Sequence, residues 1–226
     1  MEFQGFSMQT SEYLWELSFH NERPWFLAHR EEFETLLNRP FKALAADTLD
    51  LMRQRRPERD YQGHVSRIYR DARRLFGRGP YKDHLWFTIY TGDRHDGGPA
   101  FWFEVDAATY SYGLGFWDAT AAQMEVYRRR IDANPAAFER LIRPIDRGGY
   151  RMFGAAYKRP KAERPEPIGR WYNRRSVSAG REYDFGGELL SEKLPFLLAD
   201  CYEELTPLHD FLWEVWRAER EPEEKM

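Results

Sequence analysis

Residues 67–84, RIYRDARRLFGRGPYKDH, carry six cations within a single short stretch: Arg67, Arg70, Arg73, Arg74, Arg78 and Lys82. Guanidinium groups are planar donor forks that match the oxygens of carboxylate and phosphate, and Gly77 and Gly79 let backbone N–H groups approach the same anion. The chemistry this pattern suits is capture of a small anionic ligand, phosphate or carboxylate. Arg70, Arg73, Arg78 and Lys82 would neutralise it, and Tyr81 and Trp117 would stack on it or close over it. The plainer reading is a solvated face whose cations pair with Asp71, Asp83 and carboxylates elsewhere. His84 ends the stretch and is a candidate general base or anion donor, with an ordinary surface or structural histidine as its alternative. Glu104 is a candidate general acid or base, with a structural ion pair as its alternative. If the protein is an enzyme, these types support one mechanism: the cations stabilise developing charge while His84 or Glu104 moves a proton.

Other chemistries lack their signatures. GRGP is not a P-loop, no G-x-G-x-x-G follows a strand pattern, and no G-x-S-x-G recommends Ser66, Ser111, Ser176 or Ser178 as a nucleophile. Histidines 20, 29, 64, 84, 95 and 209 are scattered, so no metal site is expected and no cofactor is identified. Asp93, His95 and Asp96 sit among Gly92, Gly97, Gly98 and Pro99, the composition of a polar hairpin loop. The single cysteine, Cys201, lies among Leu197, Leu198 and Tyr202 and reads as a buried structural residue.

The 226 residues carry a net charge of -3, so no global positive field recruits nucleic acid or an anionic membrane. A mean hydropathy of -0.77 and the lack of a long apolar run give no membrane span. One cysteine and no signal-like start place the expected compartment in the cytoplasm. A local basic groove with stacking aromatics keeps nucleic acid as an alternative partner. A structural or protein-interaction module is the third reading, its protein partner unknown.

The elements that must position these groups read as α+β, a central mainly antiparallel sheet packed by N-terminal and C-terminal helices. Helices are expected over 24–37, from Pro40 to about Met52, over 119–131, and from Asn134 and Pro135 to Ile145. Strands are expected over 65–69, 85–90, 100–105, 110–116 and about 150–156, with 106–109 closing a hairpin. Alternation puts Phe101, Phe103 and Val105 in the core, and Trp102, Glu104 and Asp106 on the other face. Gly113 and Gly115 thin one face of the fourth strand, leaving room for a ligand or another backbone. The chain is expected to form one domain over 1–226, with Pro-rich 158–175 a long surface connection. A helical tail is expected to break at Pro195 and restart at Thr206 and Pro207.

Four pieces of this chain resemble the uncharacterised family called domain of unknown function 2461. They are Asn21 to Phe26 (NERPWF), Arg67 to Lys82 with its R-I-x-R-D-x-R and P-Y-K parts, the aromatic strand and glycine turn of Phe101 to Trp117, and Arg128 to Ile131. Order and spacing agree over roughly residues 15 to 160. Gly77, Arg78 and Gly79 depart from the Lys-Asp-Lys-like stretch usual at that place. The resemblance implies the fold and the position of a site, and transfers no reaction.

Overall fold

The turn after the third strand shows how local sequence sets this fold. Asp106 Oδ1 accepts from the N–H groups of Ala108 and Thr109, each at 2.7 Å, while Oδ2 accepts from the Thr109 hydroxyl at 3.1 Å. An aspartate folded onto the backbone two and three residues ahead closes a hairpin. That hairpin joins β3 (Ala100–Asp106) to β4 (Thr109–Phe116). The other strands are β1 (Tyr61–Val65), β2 (His84–Thr91), β5 (Arg151–Phe153) and β6 (Val177–Asp184). They form one six-stranded antiparallel sheet in the order β1-β2-β3-β4-β6-β5. Helices α1 (Met8–Phe19), α2 (Arg23–Ala28), α3 (Arg30–Glu32) and α4 (Arg39–Arg55) precede it. Helices α5 (Ala121–Ala133), α6 (Pro135–Arg147), α7 (Ile168–Tyr172) and α8 (Leu194–Arg220) follow in the second half. The fold is α+β, a central sheet flanked by N-terminal and C-terminal helices. This computed structural model describes residues 1–71, 73, 78–92 and 97–220. Arg74 and Gly77 of the basic segment, and Asp93, His95 and Asp96, lie outside the described residues.

The chain divides into two compact units. One comprises Met1–Ile89, Trp102–Tyr112 and Glu182–Asp200. Its core is aromatic: Phe41 lies 5.8 Å from Phe87 and 5.9 Å from Phe103, and Phe87 stacks on Phe103 at 5.4 Å. Each such side chain contributes roughly 1.5–3 kcal/mol on burial. Phe103 and Val105 are fully buried, as their parity predicts. Buried Asp47 ties down the N-terminus, accepting from the N–H groups of Glu2 and Phe3 at 2.8 Å each.

The other unit comprises Tyr90–Phe101, Gly113–Arg181 and Cys201–Met226. Tyr127, Phe138, Trp171 and Phe211 meet edge-on or tilted at 5.2–6.3 Å, and Phe101 stacks on Tyr202 and His209 at 4.9 and 5.0 Å. Asn134 caps α6, its side chain accepting from Ala137 N–H at 3.0 Å, with Pro135 in the first turn.

Several elements differ from their sequence readings. The helix expected over 24–37 is interrupted at His29 and continues through a π-helical stretch, Phe33–Asn38, into α4. The first strand ends at Val65 instead of starting there. Beyond it, Ile68 and Arg70 exchange backbone hydrogen bonds with Lys82 and Pro80, and Tyr69 bridges Tyr81. β-Branched and aromatic content marked 65–69 as extended but could not say which neighbour it would pair with. The tail is one helix from Leu194. Pro195 occupies its first turn, and Thr206, instead of capping a new helix, donates its hydroxyl to the Tyr202 carbonyl at 2.8 Å. α1 and β6 have no counterpart in the sequence reading.

Candidate functional site

In the basic segment Arg70, Arg73 and Lys82 have partners within the chain. Arg70 is largely buried, its side chain 11% exposed. Its guanidinium donates to the carbonyls of Gly79 at 3.3 Å and Tyr81 at 3.0 Å and lies 3.7 Å from Asp83. Arg73 forks onto Asp71, with Nε and Nη2 donating at 3.1 and 2.8 Å, in open solvent. Lys82 donates to the Arg67 carbonyl at 2.8 Å and sits 5.6 Å from the Trp86 ring centre. Burial, with the charges of Arg67 and Arg70, holds its ammonium below the usual lysine range. Arg78 is exposed. Tyr81 is not a lid: it is 2% exposed and stacks on Phe26 at 4.0 Å. Asn21 binds the Tyr81 backbone in both directions, Oδ1 accepting its N–H and Nδ2 donating to its carbonyl, each at 2.9 Å. NERPWF and the P-Y-K segment thus meet, with the Asn21 side chain bonded to the Tyr81 backbone.

His84 and Glu104 come into electrostatic reach of each other. Parity sends Glu104 to the face of β3 opposite the Phe103 core, where it is half-buried. Burial raises its carboxyl above the usual range, and Asp106 and Asp83 add to this, while His84 and Lys82 oppose it. His84 Nδ1 lies 2.9 Å from Asp83 Oδ1. Burial of Asp83 works against ionisation, but the His84 hydrogen bond, a backbone hydrogen bond and the charges of His84 and Arg70 together outweigh it and hold that carboxyl low. Trp117 belongs to the other unit, where its ring covers Gly115 so closely that a Cβ there would fall 2.2 Å from it. A Cβ on Gly113 would fall 2.2 Å from the Ala179 carbonyl of β6. The glycine-thinned face of β4 therefore accommodates a backbone and a tryptophan.

The same unit holds a cationic recess that the sequence reading passed over as a surface connection. Residues 154–157 run against 173–175: Tyr157 N–H donates to the Asn173 carbonyl and Arg175 N–H to the Ala155 carbonyl, both at 3.0 Å. The Asn173 side chain then fastens the next stretch, accepting from Lys161 N–H at 2.7 Å and donating to the carbonyls of Ala162 and Gly169 at 3.1 Å. The result is a recess of about 800 Å³ whose lining includes Tyr157, Lys158, Arg159, Lys161 and Arg175. Lys161 lies 4.7 Å from the Tyr157 ring centre, Arg128 of α5 5.8 Å and Arg175 5.9 Å. Arg128 is 9% exposed, and its Nη1 has no hydrogen-bond partner. Among the described residues no carboxylate forms an ion pair with Arg128, Lys158, Arg159, Lys161 or Arg175. The neighbouring Arg164 and Arg170 are instead taken by Asp132 at 2.8 Å and Asp146 at 2.6 Å. A signal was present in the sequence: Lys158, Arg159, Lys161, Arg164, Arg170, Arg174 and Arg175 share residues 158–175 with only Glu163 and Glu166.

Cys201 is buried, and burial pushes its thiol up to about 12, so it is inert as a nucleophile at neutral pH. Among the described residues no group of His, Cys, Asp or Glu is placed to hold a metal ion, and no helix is long and apolar enough to cross a membrane.

Against known families, the profile described as Conserved hypothetical protein (DUF2461) matches residues 9–211. No curated protein matches the chain. The match begins in α1, continues past the 15–160 region of the motifs, spans the cationic recess and ends within α8. The chain belongs to the DUF2461 family.

Proposed function

We propose that this protein binds a small anionic ligand, phosphate- or carboxylate-bearing, in the recess over Tyr157. One observation carries the reading: Arg128, Lys161 and Arg175 lie 4.7–5.9 Å from the Tyr157 ring centre, Lys158 and Arg159 line the recess beside it, no carboxylate is ion-paired to any of these among the described residues, and the buried Arg128 has Nη1 unpartnered. Like charges this close repel, and a buried guanidinium nitrogen without a hydrogen bond is costly. An anion offsets both, accepting from Arg128 Nη1 and taking charge-assisted bonds from Lys161 and Arg175. The 67–84 segment is less suited, because Arg70 and Arg73 already spend their donors within the chain. A single cysteine fits a reducing compartment, and we place the protein in the cytoplasm.

The test is thermal unfolding with inorganic phosphate, nucleotides, acidic metabolites and short RNA, for wild type, Arg128→Met, Lys161→Met and Arg73→Ala. A ligand-specific rise in midpoint that survives Arg73→Ala and disappears in the other two variants is expected. A rise lost only in Arg73→Ala returns the site to the basic segment. Protection confined to RNA and steeply weakened by salt makes the partner a nucleic acid.

A further inference from the structure

A second recess, of about 660 Å³, lies on the N-terminal helices between α1 and the stretch from Trp25 to Leu36. Three exposed carboxylates stand in its walls, Glu12, Glu16 and Glu32. Glu12 and Glu16 are one turn apart on α1, which sets their Cβ atoms about 6 Å apart. Among the described residues no Lys or Arg pairs with any of the three. The one ionic neighbour is His20, 3.5 Å from Glu16. Acidic side chains alone would be a solvated face, but this group surrounds something else.

Tyr13 lines the same recess, is 3% exposed, and its hydroxyl has no hydrogen-bond partner. Its ring packs against Trp25 at 5.8 Å and Phe33 at 6.4 Å, contacts a phenylalanine would make equally well. The oxygen is therefore the unexplained atom. Burial, reinforced by the charge of Glu32, holds the phenol proton on well above the usual tyrosine range, so the hydroxyl stays neutral and free to accept. What would complete it is a hydrogen-bond donor carrying positive charge. A primary ammonium has three N–H donors, enough to serve Tyr13 and two carboxylates together. A strongly hydrated divalent ion matches carboxylates but gives nothing to a buried phenol among aromatic rings. Carboxylates from two elements lining one aromatic-walled recess, Glu12 and Glu16 from α1 and Glu32 from α3, suit ammonium groups joined by a hydrocarbon chain whose methylenes lie along Tyr13 and Trp25.

We infer that the recess of Glu12, Glu16, Glu32 and Tyr13 binds an aliphatic diammonium or polyammonium ligand. The inference is independent of the anion site, since it uses different residues and an opposite charge.

Calorimetric titration of the full chain with putrescine and spermidine tests it, with magnesium chloride at matched ionic strength as the competitor. Saturable spermidine binding is expected to weaken about tenfold in Glu12→Gln/Glu32→Gln, whose positions are exposed and leave the fold intact. In Tyr13→Phe it weakens several-fold while the unfolding midpoint stays level or rises, because the variant removes only an unpartnered oxygen. Three outcomes overturn the inference: no saturation with either amine, complete displacement by magnesium, or unchanged affinity in Tyr13→Phe.

Discussion

Gly79 lies so close to Asn21 that a Cβ on Gly79 would fall 2.2 Å from both the Asn21 backbone carbonyl and its Oδ1. The glycine of the basic segment thus serves close approach between two chain segments. One of the clashing atoms is backbone and cannot rotate away. Gly79→Ala is expected to lower the urea unfolding midpoint by the equivalent of about 2–4 kcal/mol. Wild-type stability in that variant would show that the loop yields without cost.

Removing Asn21 leaves two backbone groups of Tyr81 short of a partner, though its carbonyl keeps Arg70. Asn21→Ala should cost roughly 2–3 kcal/mol, and Asn21→Asp nearly as much, since aspartate keeps the acceptor and loses the donor. Denaturant melts of both variants beside Arg70→Met measure the share of each residue. An additive double variant Asn21→Ala/Arg70→Met would mean that the two do not act on one carbonyl together.

Glu104 ionises less readily in the folded chain than its ordinary value of 4.5, with burial the main cause. Between that value and the raised folded one, the folded state holds more protons than the unfolded state. Stability therefore falls as pH rises through this window, and the loss is complete above it. Glu104→Gln should melt about 2–4 °C above wild type at pH 7, and level with it below both values, in paired scans. A variant that melts lower at pH 7 would mean that the charged carboxylate stabilises the fold through Lys82 or His84.

Cys201 should resist alkylation by iodoacetamide at pH 8 in the native protein and react at an ordinary rate once unfolded in urea. Burial keeps the thiolate scarce, and Tyr150 lies 3.4 Å from the sulfur. Rapid labelling of native protein, followed by mass spectrometry, would assign the residue a reactive role after all.

Local pattern carried much of the architecture. The Asn134–Pro135 pair announces α6, alternation in 100–105 announces which side of β3 is core, and Asp106 with Thr109 announces a hairpin. Each is a short-range rule, satisfied within a few residues. β6 escaped because Val177–Asp184 joins apolar Val177 and Ala179 to a charged end, and only its neighbours β4 and β5 make it a strand. Local pattern splits α8 because Pro207 is a strong local breaker, yet the surrounding apolar face, buried at Leu205, Leu208 and Leu212, carries the helix through.

The sequence by itself determined the family, the α+β class, and that arginine and lysine are concentrated in two stretches, 67–82 and 158–175. Which stretch has spare charge was decided by tertiary structure. Arg164 meets Asp132 from 32 residues away, Arg70 is consumed by carbonyls of the loop it supports, and Arg128 reaches Tyr157 without meeting a carboxylate. Sequence composition counts charges, but an ion pair depends on which distant carboxylate the fold carries to within a few ångströms. Spacing along one helix or strand does not encode that distance.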